Sequence, residues 1–83
     1  MKRVAYSKSA LKILRRMPVP EAKRIVSKIE QYASDPASLA NNVKALMGSP
    51  YIRLRVGDWR VIIDDQGNVL NILKIGPRSS VYE

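Results

Sequence analysis

The sequence contains no cysteine, no histidine and no phenylalanine. Without cysteine there is no disulfide framework, a usage compatible with the cytosol. Without cysteine and histidine together there is no Cys/His zinc site and no histidine-based acid–base pair or triad. Any chemistry must therefore rest on Tyr, Lys, Arg, Asp, Glu or backbone groups, and no metal or cofactor is expected. Without phenylalanine, the core must be built mostly from Ile, Val and Leu. Acidic residues are scarce: 7 Asp/Glu stand against 15 Lys/Arg, a formal net charge of +8. That imbalance favours a polyanionic partner, whether nucleic acid, an acidic protein segment or an anionic surface. Long apolar runs are also lacking. None approaches the length of a membrane span, and the opening MKRVAYSKSALKILRRM has no apolar segment of the kind a signal peptide needs. A cytoplasmic protein without membrane association is expected.

What is present suits one small domain spanning residues 1–83. A hydrophobic content of 46% argues against wholesale disorder. A chain of this size buries only about 60–65% of its unfolded surface, so the core is modest.

Periodicity gives the organisation. KRVAY (residues 2–6) is a short strand candidate with Val4 and Tyr6 on one face, and Ser7 is placed to cap a helix beginning at the next residue. Ala10, Ile13, Leu14 and Met17 recur at helical spacing, with Lys8, Lys12, Arg15 and Arg16 mostly on the other side. Pro18–Pro20 ends this helix and opens a second, whose stripe is Ala22, Ile25, Val26, Ile29 and Ala33 and whose stop is Asp35-Pro36. Residues 36–50 read as a long loop. The last third alternates as strands: YIRLRV, a GD turn, WRVIID, a DDQGN turn, then VLNILKI. The expected fold is α+β: an N-terminal strand, a helical hairpin and a three-stranded antiparallel meander, with the helices packed on one face of a four-stranded sheet.

A two-residue reversal at Gly57-Asp58 dictates the register of the first hairpin. Val56 then faces Trp59, Arg55 faces Arg60, Leu54 faces Val61, Arg53 faces Ile62 and Ile52 faces Ile63. Because side chains alternate across a strand, one face is entirely apolar. The other gathers Arg53, Arg55 and Arg60, with Tyr51 and Ile62. Directly opposed arginines repel, and an acidic partner or a phosphate would offset the repulsion. Lys74, Arg78 and Tyr82 lie in LKIGPRSSVYE, where Gly76-Pro77 is expected to end the last strand. A site with cations and a phenol but no histidine suits phosphodiester chemistry in RNA: the guanidinium groups stabilise the pentavalent phosphorane. A phenol accepts the 2′-hydroxyl proton only if neighbouring cations lower its pKa. Such a site is a poor general nuclease and needs outside help to align its substrate.

The chain resembles the RelE/ParE superfamily of bacterial type II toxins. The resemblance rests on YSKSALKIL (residues 6–14), YIRLRVGDWRVII (51–63) and IGPRSSVY (75–82), in that order and spacing, and it spans nearly the whole chain. It implies a RelE-like fold and one of two activities. RelE-like members cut mRNA in the ribosomal A site; ParE-like members poison DNA gyrase. It also implies a cognate antitoxin, with operator DNA bound only through the antitoxin complex, and, for the RelE-like activity, the ribosome and mRNA as partners. Carried over residue by residue, Arg53, Arg60, Arg78 and Tyr82 become catalytic candidates, Arg78 as acid or phosphate clamp and Tyr82 as base or orienter. Arg55, Lys44, Tyr51 and Lys74 become RNA-binding candidates. Three positions depart from the family pattern: Tyr51 stands where some members carry lysine, Met47 lies in a loop that is usually basic, and Pro77 replaces a common His or Lys. The expectation is a ribosome-dependent endoribonuclease that inhibits translation. The alternatives are a gyrase inhibitor without nuclease activity and a catalytically weak toxin-fold binding module.

Overall fold

Gly57 reverses the chain at φ +59°, and no non-glycine residue among those described has a positive φ. A left-handed first position followed by an ordinary second one is the II′ form of a two-residue hairpin, which only glycine enters without strain. The structure, a computed structural model, describes residues 2–77. Its elements are β1 (Arg3–Tyr6), α1 (Lys8–Arg16), α2 (Val19–Ser34), a 3₁₀ segment (Pro36–Asn42), β2 (Val43–Ala45), β3 (Ile52–Val56), β4 (Trp59–Asp65) and β5 (Val69–Pro77).

The fold class is the α+β arrangement expected, with one difference. The sheet has five strands, in the order β1-β5-β4-β3-β2, instead of four. The extra strand lies inside the stretch read as a loop. Val43, Lys44 and Ala45 pair antiparallel with Leu54, Arg53 and Ile52. Three residues carry too little alternation to be recognised alone, but β3 offers an unpaired edge that they satisfy. Strand β1 closes the other side, parallel to β5.

Both helices cover one face of the sheet. Leu54, Val61, Ile63, Leu70 and Ile72 are fully buried there against Ala10, Ile25 and Ile29, with Ile13, Leu14 and Ala22 packed at the margin. Tyr32 and Leu39 complete this core. Val26, placed by periodicity in the same stripe, lies instead at a shallow depression with Ala22, Lys23, Ser27 and Glu30. Trp59 packs against the core and donates its indole N–H to Glu21 Oε1 at 3.1 Å, tying the hairpin to the first turn of α2.

A register shift between Ile62 and Ile63 makes β5 bulge at Leu73: Ile63 faces Ile72, and Ile62 faces Lys74. Ser7 is built around this irregularity. Its backbone N–H donates to Ile72 O at 2.9 Å. Its hydroxyl donates to Leu73 O at 2.8 Å and accepts from Ala10 N at 3.0 Å. One side chain therefore caps α1 and satisfies the bulge carbonyl. Ser7→Ala leaves both groups without that partner and is expected to cost about 1–3 kcal/mol. The shift of the urea midpoint at unchanged m-value measures it.

At the far end of the sheet, the Lys2 ammonium bonds both Asp65 carboxylate oxygens at 2.7 and 2.9 Å. That bond, aided by the Gly67 N–H, holds the Asp65 carboxyl below its ordinary 3.8. A depressed carboxylate pKa contributes stability above the unfolded-state value, and that contribution is lost as pH falls through the folded value. Asp65→Asn is therefore expected to flatten the acid limb of the stability–pH curve, measured as the urea midpoint through the carboxylate range. No change in that limb would remove the pair from the account.

Candidate functional site

The cross-strand pairs are those a two-residue turn requires, from Ile52 opposite Ile63 to Val56 opposite Trp59. With Leu54, Val56, Val61 and Ile63 buried beneath the helices, alternation sends Arg53, Arg55 and Arg60 to the uncovered face. Strand β2 adds Lys44, opposite Arg53. These four cations, with Asn41, Asn42 and Val43, line a cleft of about 340 Å³. Among the described residues, no carboxylate lines it. Arg53 and Arg60 are half-buried, and Arg60 has its Nη1 shielded from water. Arg55, Lys44 and Lys74 are exposed, and no hydrogen bond or ion pair to a described residue engages them. Half-burial holds a guanidinium in one place, whereas an exposed one searches for its ligand. The cleft thus combines fixed and adaptable donors, the former suited to stabilising charge as it develops.

Of the residues singled out from sequence, Arg53, Arg55, Arg60 and Lys44 come together in this cleft. Tyr51 and Lys74 line a second hollow of about 370 Å³ with Leu46, Met47, Ser49, Ile62 and Leu73. The two hollows share one sheet face, since Arg53, Ile62 and Lys74 form a single row across β3, β4 and β5. The bulge is what puts Lys74 there. Leu70 and Ile72 face the core, so strict alternation would turn Lys74 inward too; the extra residue at Leu73 turns it outward and returns Ile75 to the core. Arg78 and Tyr82 lie outside the described residues.

Sequence reasoning missed Asn41 and Asn42, whose only signal was a polar pair just before β2, and Ser7's second bond. It also gave no role to Tyr6 and Tyr32, and the structure explains why. Burial raises both phenol pKa values, with Glu30 adding to the effect on Tyr6 and Asp65 to that on Tyr32. A general base needs the opposite shift. Tyr32 is part of the main core and Tyr6 packs against it.

The Arg55–Arg60 pair has a measurable cost. Like charges directly opposed on a sheet repel by about 0.2–1 kcal/mol. Arg55→Thr, which keeps a β-branched side chain at the position, is expected to raise stability by a similar amount while weakening polyanion binding. Added salt should stabilise the wild type more than the variant. A variant less stable than the wild type at low salt would mean that the repulsion is already cancelled within the chain.

A family model described as the ParE toxin of type II toxin–antitoxin systems, parDE, matches residues 4–82. The chain belongs to this toxin family, within the RelE/ParE superfamily. No curated protein matches it. Solved structures do. The toxin is similar to a chain of the RelE–RelB complex from Pyrococcus horikoshii OT3, at 28% identity, 96% coverage of this chain and 98% of that one, with a TM-score of 0.77. It is similar to a chain of the RelB–RelE complex from Methanococcus jannaschii at 26% identity, covering 94% of each chain with a TM-score of 0.74. The isolated RelE toxin of E. coli, 17% identical over 93% of this chain and 84% of that one with a TM-score of 0.75, shares the fold. The toxin therefore presents a cationic cleft, with no carboxylate among its described lining residues, on the sheet face that its helices leave open.

Proposed function

We propose that this toxin is a ribosome-dependent endoribonuclease that cuts mRNA during translation, the activity implied by its resemblance to RelE-like members. The observation that supports it most is the convergence of Lys44, Arg53, Arg55 and Arg60 in one cleft with no carboxylate among its described lining residues. In cleavage, the 2′-oxygen attacks the adjacent phosphorus, the 5′-oxygen leaves, and a 2′,3′-cyclic phosphate forms. Arg53 and Arg60 meet the charge that grows on the non-bridging oxygens. Arg55 and Lys44 hold neighbouring phosphates, with Lys74 beyond them. Arg78 and Tyr82 are assigned by resemblance to leaving-group protonation and to orienting or deprotonating the 2′-hydroxyl. Arginine holds its proton too tightly to be an efficient acid, so alignment by the ribosome supplies much of the rate.

A cognate antitoxin is the expected protein partner, as in the RelE–RelB complexes that share this fold. The cationic face makes that association fast and salt-sensitive. Cell-free translation with 5′-end mapping of the message tests the activity. Cuts that appear only when ribosomes translate support it, and an intact message during arrest overturns it. The family description, that of ParE toxins, favours a second reading: inhibition of DNA gyrase without nuclease activity. Loss of supercoiling by purified gyrase with an intact message would establish that instead.

A further inference from the structure

The hollow beside the cationic cleft is apolar, and packing does not account for its rim. Leu46 and Ile62 form a small buried cluster with Leu73 against them, apart from the main core. Above this floor stand Tyr51, 37% exposed, and Met47, 96% exposed. Met47 is not displayed by a loose loop. The turn that carries it is closed by Leu46 N–H to Tyr51 O at 3.1 Å, Ser49 N–H to Leu46 O at 3.2 Å, and Tyr51 N–H to Ser49 Oγ at 3.0 Å. Gly48, at φ +73°, provides the left-handed step. The backbone that carries Tyr51 and Met47 is thus held in a fixed frame beside the aliphatic floor.

Neighbouring strands lie about 4.8 Å apart. The hollow therefore opens within a nucleotide's reach of Arg53 on one side, and Lys74 lines it on the other. An aliphatic floor, an aromatic wall and a polarizable thioether suit a flat π-face, and flanking cations suit the phosphates attached to it. Ser49 and Lys74 supply polar groups to the base edge.

We propose that this hollow seats an unstacked nucleobase of the RNA strand whose phosphates lie in the arginine cleft. The proposal rests on the RNA-cleaving reading and adds a base-binding subsite formed by Leu46, Met47, Tyr51, Ile62 and Leu73.

The test compares two uncleavable probes, a 2′-O-methyl RNA heptamer and a heptamer of the same backbone with every base removed. The wild type is expected to bind the base-bearing strand about tenfold more tightly. Met47→Ala and Tyr51→Ala should shrink that preference, while affinity for the abasic strand and the salt slope stay as in the wild type. Because Met47 is almost wholly exposed, its removal leaves the fold untouched. Equal affinity of the wild type for the two probes overturns the proposal alone. So does an equal loss on both probes in the variants, or an acidic amphipathic peptide that protects the Ile62 and Leu73 methyl groups when the base-bearing strand does not. Failure of the wild type to bind either strand also overturns the proposal, while the RNA-cleaving reading stands or falls on the translation assay.

Discussion

Arg60→Ala is expected to lower message cleavage about 10²–10³-fold, the scale for losing one preorganised donor at a developing charge. Arg60 stands out among the cations of the cleft because its guanidinium is half-buried, with Nη1 shielded from water. A group held this way needs no reorganisation when the phosphorane forms. Arg55, its exposed cross-strand neighbour, has no such constraint. The two variants should therefore fail differently. Arg55→Ala weakens binding and lowers the slope of log affinity against log salt by about 0.7, the value for one phosphate of a single strand, with little change in the rate from saturating complex. Arg60→Ala lowers that rate. Arg55→Ala touches nothing in the core and removes half of a repulsive pair, so that variant should melt no lower than the wild type; for Arg60→Ala the melt shows that the protein is folded at the assay temperature. The measurement is single-turnover cleavage on translating ribosomes beside a thermal melt. Unaltered cutting by Arg60→Ala would take Arg60 out of the site.

The face on which these arginines sit was legible because one local device controls it. A Gly-X reversal between two alternating runs leaves a single register, and that register sorts every side chain from Ile52 to Ile63. The helices were legible for the same kind of reason, through the repeats that bury Ala10, Ile25, Ile29 and Ala33. What escaped were features that depend on a partner strand. Strand β2 is three residues long and exists because β3 has an edge to offer. It brings Lys44 opposite Arg53 and so completes the cleft. The dual role of Ser7 depends on a carbonyl 66 positions away. A one-dimensional pattern records the cap and not the second bond. The bulge left a trace that could have been used: in VLNILKIGP the apolar alternation of Leu70 and Ile72 skips a residue before Ile75. Such a skip in an otherwise regular strand marks an inserted residue, and here it decides whether Lys74 faces phosphate or core.

That decision yields the largest stability difference expected in the molecule, between adjacent residues of one strand. Ile72 is fully buried between β1 and β4, and Ile72→Ala is expected to cost about 2–5 kcal/mol. A domain of this length has about 4–12 kcal/mol in all, so the variant should melt about 10 °C lower or more. Leu73, half-buried on the open face, should lose much less on truncation. Lys74→Ala should be nearly neutral, and Ile75→Ala, in the main core, should again be costly. An unbulged β5 predicts a different order, because alternation from Ile72 would place Lys74 against Val61 under the helices and Ile75 beside Arg60. In that case Lys74→Ala would stabilise by removing a buried charge, and Ile75→Ala would be mild. Urea melts of the four alanine variants separate the two patterns. A costly pair at Ile72 and Ile75 with tolerance between them keeps Lys74 on the cationic face, and a neutral Ile75→Ala would move it off.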